Sequence, residues 1–248
     1  MRRDPGNPTY DHTLDTLCSE SGYRFQREKY GPKLAFMKDH FGERFPSIAL
    51  LDVGVGYGVF LKIAWEDFGL RSLYGMDPYP SSIEIARTMT PARIELGNLF
   101  DAQWPFDERS FDAITCFDVL EHLEKPDPFF ISAKRYLRGG GIILVSTPNK
   151  SFPYRMRSIP LIGFPDTNPT HVNVQPPSYW RNVAARNGYG IVASWKGEYL
   201  THIRLVPKIL KALCAALRID PRTVPLVNAF EQAFVMVARP VDGNETEG

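Results

Sequence analysis

Glycine stands at every second position through Gly54, Gly56 and Gly58, closing a run that opens on an acid, Asp52-Val53-Gly54-Val55-Gly56-Tyr57-Gly58. Glycine lets a chain turn tightly and bring its backbone close to a ligand, and a helix that starts at such a turn presents its positive end. These residues predict a nucleotide-type cofactor site. A dinucleotide loop needs G-x-G-x-x-G, and the even spacing here disfavours it. Asp52 would also repel a pyrophosphate, whereas it could hold an ammonium group or a water that bridges to one, so a cationic amino-acid tail fits better. A second acid, Asp77, closes the next apolar run, where a carboxylate can accept both hydroxyls of a ribose. Asp is also a common helix cap, but Ser81 or Ser82 is the better-placed cap for the helix that follows.

The elements that must position these residues alternate. Ile48 to Val53 reads as a buried strand, Val59 to Phe68 as a helix starting at the turn, and Ser72 to Asp77 as a second strand. Ser81 to Thr88 gives a helix, Ala92 to Leu96 a third strand, Phe111 to Phe117 a fourth, Asp127 to Leu137 a helix and Gly141 to Ser146 a fifth strand. Such alternation argues a parallel sheet covered by helices on both faces. Ahead of it, Phe25, Tyr30, Leu34, Phe36, Met37 and Phe41 recur at helical spacing and predict a helical cap over residues 1–46, its first 20 residues loose. Beyond Pro148 a proline-rich loop, Ser151 to Pro169, is too long for an ordinary connection and reads as a functional loop or lid. A helix over Ser178 to Asn187 ends at Gly188, and Ile191 to Trp195 and Ala233 to Ala238 read as the last strands. Leu205 to Leu217 is amphipathic, with packing as its default role.

The chain has 248 residues and is 44% hydrophobic, enough for one α/β domain with insertions. With 29 basic and 28 acidic side chains the net charge is +1, so no field draws in nucleic acid or an anionic membrane. Cys18, Cys116 and Cys214 are far apart and lack CxxC spacing, which suggests neither a disulfide framework nor a zinc site. No leader and no apolar run of about 18 residues is found, so a cytoplasmic protein without stable membrane insertion is expected, as monomer or homodimer.

Together these residues resemble the class I S-adenosylmethionine-dependent methyltransferases, in particular the small-molecule enzymes with a G-x-G-x-G loop. The resemblance is strong over about 47–150 and looser over 171–240. The stretch Phe111-Asp112-Ala113-Ile114-Thr115-Cys116-Phe117-Asp118-Val119-Leu120-Glu121-His122 is similar to that family's F-D-x-V-x-x-x-x-V-L-E-H, and Leu137 to Asn149 resembles its fifth strand with the T-P-N ending. The resemblance implies a doubly wound, Rossmann-like sheet of seven strands, mostly parallel with an antiparallel last strand, in a methyltransferase domain over 47–240, with substrate-side insertions at 151–176 and 199–230 and a disordered tail at 241–248. It implies S-adenosylmethionine as cofactor, S-adenosylhomocysteine as product and no metal. Asp52, Gly54, Gly56 and Gly58 would contact the methionine part, Asp77 with Pro78 the ribose, and Asn98 with Leu99 the adenine, Asn98 replacing the usual acid. Phe117 and Asp118, at the mouth of the fourth strand, would face the sulfonium and the acceptor. Asp112 more simply pins the start of its strand.

Methyl transfer from a sulfonium is an in-line displacement, so alignment of the acceptor and removal of its proton carry the work. His122 and His171 are the candidate catalytic residues. His122 suits a positioning role, and His171, in Pro169-Thr170-His171-Val172-Asn173, resembles the family's H-x-N segment beside the acceptor site. The expectation is methylation of a small molecule, oxygen ahead of nitrogen or carbon. Two alternatives stay open: a methyltransferase of RNA, DNA or protein, against which count the lack of an N-P-P-Y-type tetrapeptide and of a basic appendage, and a catalytically silent cofactor-binding protein of the same fold.

Overall fold

A computed structural model describes residues 17, 19–149, 168–197, 212–214, 216–218 and 233–241. Helix α1 (Glu20–Phe41) is capped by Ser19, whose hydroxyl accepts Gly22 N–H at 3.1 Å, and passes through a 3-10 turn (Gly42–Ser47) into strand β1 (Ala49–Val53). There follow α2 (Val59–Glu66), β2 (Ser72–Asp77), α3 (Pro80–Met89), β3 (Arg93–Leu96) and β4 (Phe111–Phe117). A 3-10 turn (Leu120–His122), α4 (Asp127–Tyr136), β5 (Leu137–Pro148), α5 (Pro177–Arg186), β6 (Tyr189–Gly197) and β7 (Ala233–Pro240) complete the described elements.

The strands form one sheet of seven in the order β3-β2-β1-β4-β5-β7-β6, parallel from β3 to β5, with β7 antiparallel to both β5 and β6. The doubly wound seven-stranded architecture expected from the resemblance is present. Alternate residues feed two cores. Leu51, Val53, Ile114 and Val145 pack with α4 and α5 through Phe129, Phe130, Trp180 and Val183, while Leu50, Ala113, Ile142 and Leu144 pack with α1 to α3 through Leu34, Met37, Leu61, Ile63 and Ala86. Burial on both faces explains why β1, β4 and the body of β5 read as continuous apolar runs. Chain direction through the sheet reverses between β1 and β4, and the crevice beyond the carboxyl ends of those two strands is where open α/β sheets bind ligands.

Three sequence expectations need correction. The cap of α3 is neither Ser81 nor Ser82: Tyr79 stands at the cap without a side-chain bond, and Pro80 opens the helix, where its missing N–H costs nothing. Helix α4 ends at Tyr136, and β5 begins at Leu137 rather than Gly141, because Leu137 pairs with Phe111 across a register shift that the glycines 139–141 accommodate. Helix α1 starts at Glu20, so part of the stretch expected to be loose is ordered. The loop expected over 151–169 lies outside the described residues except Asn168 and Pro169. The amphipathic stretch 205–217 does so except for 212–214 and 216–217, and so do the tail 242–248 and residues 1–16.

Asp112 pins strand β4 as expected. Its Oδ2 accepts Ala49 N–H at 2.9 Å and an Arg138 N–H at 2.7 Å, and its Oδ1 accepts from Arg44 at 2.9 Å. Both guanidinium groups are substantially exposed, so the ion pairs add little, whereas the bond from Ala49 N–H is buried. Asp112→Ala should therefore lower stability by about 1–3 kcal/mol, the cost of orphaning a buried donor. Asp112→Asn should recover part of it, as read from urea midpoints; a loss within about 0.5 kcal/mol would reduce Asp112 to an ordinary surface position.

Candidate functional site

All three glycines of the turn lie in the left-handed region, Gly54 at φ 81°, Gly56 at φ 52° and Gly58 at φ 78°. At Gly54 a Cβ would also stand 2.4 Å from Val119 Cγ2. The turn is held from β2: Met76 O accepts both Gly54 N–H (2.9 Å) and Val55 N–H (3.0 Å), and Asp77 Oδ2 accepts Gly56 N–H at 3.0 Å. Asp77 Oδ1 accepts Tyr79 N–H at 3.0 Å, so each carboxylate oxygen spends one lone-pair position on backbone and keeps another for a ligand. Burial raises the Asp77 carboxyl to about 6 against those two backbone bonds.

Asp52, at the end of β1, accepts the Thr115 hydroxyl at 2.7 Å from the neighbouring strand. Burial raises its carboxyl to about 7, the Thr115 bond and the charge of Lys33 pull it down, and Asp77 and Asp118 push it up. In the turn after β3, Leu99 is buried in the core, and Asn98 Oδ1 accepts Phe100 N–H at 3.0 Å. An acid is present there after all, at Asp101, whose Oδ2 accepts Asn98 N–H at 2.8 Å. Pro78 is exposed beside Asp77.

At the mouth of β4, Phe117 packs edge-on to Phe60 (4.9 Å between ring centroids) and stacks with Tyr30 (5.9 Å). Asp118 takes φ 55°, strained for a residue with a Cβ, and its carboxylate pairs with Lys29 and accepts the Ser146 hydroxyl at 3.4 Å. Lys33 is fully buried, with Nζ 4.7 Å from the Phe117 ring centroid and 5.1 Å from that of Tyr30. Sequence reasoning took Tyr30 for core and missed Lys29 and Lys33. Their signal was available: two lysines four apart, interleaved with the apolar stripe of α1, place charge on the face that packs against the sheet.

The fold brings His122 and His171 together, with ring centroids 4.8 Å apart. His122 Nδ1 lies 3.1 Å from the Thr170 carbonyl and 2.9 Å from its hydroxyl, and that hydroxyl donates to Asn168 Oδ1 at 2.7 Å. A carbonyl only accepts, and the hydroxyl proton is already given away, so Nδ1 carries a proton. Asn173 ties the second segment to the first: its N–H donates to Glu121 O at 2.8 Å and its Nδ2 to Leu123 O at 2.9 Å. Glu121 is buried between them. Burial and then the charge of Asp118 push its carboxyl well above the usual range.

The raised Asp52 carboxyl carries a pH signature. Unfolded, an Asp titrates near about 3.9; folded, Asp52 holds its proton to about 7. Its contribution to stability is therefore complete below about 4 and lost as pH rises through about 7. Asp52→Asn stays neutral throughout and still offers Thr115 an acceptor. In thermal unfolding without ligand, the variant should gain on the wild type between pH 4 and pH 8; a stability difference independent of pH would show that Asp52 is not held protonated.

Residues 23–194 match the family model described as "Methyltransferase domain". Among similar proteins, the mitochondrial ubiquinone biosynthesis O-methyltransferase of Schizosaccharomyces pombe is 30% identical over 152 residues, 57% of this chain and 54% of that one. A "Probable S-adenosylmethionine-dependent methyltransferase" of Mycolicibacterium smegmatis is 35% identical over 158 residues, 63% and 57% of the two chains. The chain thus spans a little over half the length of these curated relatives. Geranyl diphosphate C-methyltransferase from Streptomyces coelicolor A3(2) shares the fold at TM-score 0.58 and 16% identity, covering 96% of this chain and 94% of that one. The PH0226 protein of Pyrococcus horikoshii OT3 does so at TM-score 0.60 and 16% identity, with 91% and 93% covered. With the family model spanning more than half of the chain and the glycine turn, Asp52 and Asp77 in place around one crevice, this protein belongs to the class I S-adenosylmethionine-dependent methyltransferases.

Proposed function

We propose that the chain methylates an oxygen of a small-molecule acceptor, using S-adenosylmethionine. The observation that carries this reading is the junction of the two halves of the site: a glycine turn tied to Asp77 on one side of the crevice, and a buried Glu121, His122 and His171 cluster at the mouth of β4. The residues fit the cofactor. Three positive-φ glycines shape a turn with no side chain of its own at those positions, Val119 packs where a Cβ at Gly54 would stand, and two buried carboxylates stand at the ends of β1 and β2. Gly54, Gly56, Gly58 and Asp52 would take the methionine part, with Asp52 answering the ammonium. Asp77, flanked by Pro78, would accept from the ribose hydroxyls. Asn98 and Leu99 would border the adenine, with Asp101 as the acid of that turn, and Phe117 and Asp118 would border the sulfonium.

The bound cofactor supplies an activated methyl group; the chain has to align an acceptor and take its proton. The acceptor side is built from Glu121, His122 and His171, with Thr170 fixing the His122 ring. Two of the relatives, from Schizosaccharomyces pombe and Idiomarina loihiensis, are named as ubiquinone biosynthesis O-methyltransferases, which supports oxygen as the methylated atom here.

Calorimetric titration with S-adenosylhomocysteine should show one site. Gly56→Val should abolish it, because a branched residue cannot hold φ 52° at low cost. Asp77→Ala should weaken it by about 1.5–3 kcal/mol per charged hydrogen bond lost. Full affinity in Gly56→Val would overturn the cofactor assignment. For the acceptor side, a screen of phenols, catechols and aliphatic alcohols should reveal formation of S-adenosylhomocysteine. In that assay His122→Gln and His171→Gln should lower kcat about 10²-fold or more at unchanged S-adenosylhomocysteine affinity. Wild-type turnover in both variants would remove them from the acceptor site.

A further inference from the structure

We propose that Glu121, His122 and His171 form a site for a divalent cation of the zinc, cobalt or manganese kind, which holds the acceptor's oxygen. The site itself follows from geometry; its role in turnover rests on the O-methylation reading. One ligand atom from each of the three residues lies within 4.8 Å of the others. Around a cation at about 2.0–2.2 Å from each ligand, such atoms stand roughly 3–3.6 Å apart.

Three further features point to a cation. Glu121 is 1% exposed, and its Oε2 is buried without a hydrogen-bond partner, an orphan acceptor that a cation would satisfy. The His122 ring is held through Nδ1 by the Thr170 carbonyl and hydroxyl, the outer contact that metal-bound imidazoles characteristically make, with Nε2 as the proposed ligand atom. The two segments are locked by backbone: Asn173 bonds to Glu121 O and Leu123 O, so His171 keeps its place beside the Leu120–His122 turn without help from exposed side chains. Two imidazoles and one carboxylate favour borderline first-row dications over Mg²⁺ or Ca²⁺, which prefer oxygen donors, and three protein ligands leave a position open.

An acceptor hydroxyl in that open position would have its pKa lowered. Its proton passes to solvent water, the oxygen forms the new C–O bond, and the C–S bond of the methyl donor breaks with its electron pair left on sulfur. The resemblance had implied no metal and the cysteine spacing no zinc site; these ligands come from two distant segments and carry no spacing signal.

The test uses the full chain stripped with a chelator and dialysed. Titration with Zn²⁺ by calorimetry, and with Co²⁺ by visible absorption, should show one equivalent bound. Glu121→Gln and His171→Ala should each weaken binding at least tenfold, and Thr170→Val roughly 10–100-fold, as for other outer-shell partners. Parallel titration with S-adenosylhomocysteine should give wild-type affinity in all three variants. No metal binding by the wild type, or equal binding by the variants, overturns the site. Binding with a methylation rate indifferent to chelation overturns the catalytic role and leaves the methyltransferase reading standing, whereas stoichiometric metal binding without turnover of any hydroxyl acceptor counts against O-methylation alone.

Discussion

The carboxylate of Asp77 accepts N–H groups from Gly56 and from Tyr79, both at 3.0 Å, and so welds the end of β2 to the turn that follows β1. Met76 O adds two more bonds from Gly54 and Val55. The backbone of a left-handed turn has few internal partners, so its shape depends on acceptors brought by a neighbouring strand. Register between β1 and β2 places Asp52 opposite Gly75 and Val53 opposite Met76, which delivers those acceptors. Gly75 has to be glycine for a packing reason: a Cβ there would meet Val55 Cγ2 at 2.8 Å and Ile94 Cδ1 at 2.9 Å. The same carboxylate that would meet a ribose thus shapes the loop that would meet the methionine part, and the cofactor half of the site is one mechanical unit.

Electrostatics around this unit are unbalanced in a revealing way. Asp52, Asp77, Asp118 and Glu121 converge on the crevice, against Lys29 and Lys33 from α1. Lys29 is committed to Asp118, and Lys33 lies over aromatic faces, where a cation is favoured by the ring quadrupole. Burial raises the carboxyl groups of Asp52, Asp77 and Glu121, which makes their charged forms costly in the absence of a partner. A cationic ligand would stabilise those charged forms, which is a physical reason for a sulfonium with an ammonium tail to be favoured in this crevice over a pyrophosphate.

The glycine turn and the acids that end β1 and β2 were legible in the sequence because they are built from local pattern. An apolar strand ending in an acid, alternate glycines that must take positive φ, and a second strand ending in an acid are each short-range signals, and parallel strands buried on both faces read as unbroken apolar runs. Errors clustered where tertiary contact overrides local preference. Pro80 opens α3 in place of a serine cap, and Leu137 to Gly140 join β5 because Phe111 offers a partner strand. The contact between Asp101 and Asn98 N–H, inside one turn, left no pattern in the sequence. The histidines were legible as residues, but their pairing was not, since nothing in sequence places Thr170 against the His122 ring.

This division follows from how the site is assembled. The mouth of β4 is built by three separate pieces: the lysines and Tyr30 of α1, the segment from Phe117 to His122, and the segment from Asn168 to Asn173. The middle piece carries the long family pattern, the third only the short H-x-N match at His171 to Asn173, and the lysines of α1 none. The outer two are positioned by α1 packing Leu34 and Met37 into the sheet core and by Asn173 clamping the Leu120–His122 turn. Changes in either outer piece can therefore alter the mouth of β4 while β1, β2 and the glycine turn stay as they are. A fold arranged this way fixes the glycine turn by strand register, and leaves the mouth of β4 to helix and loop contacts that can be exchanged without disturbing the sheet.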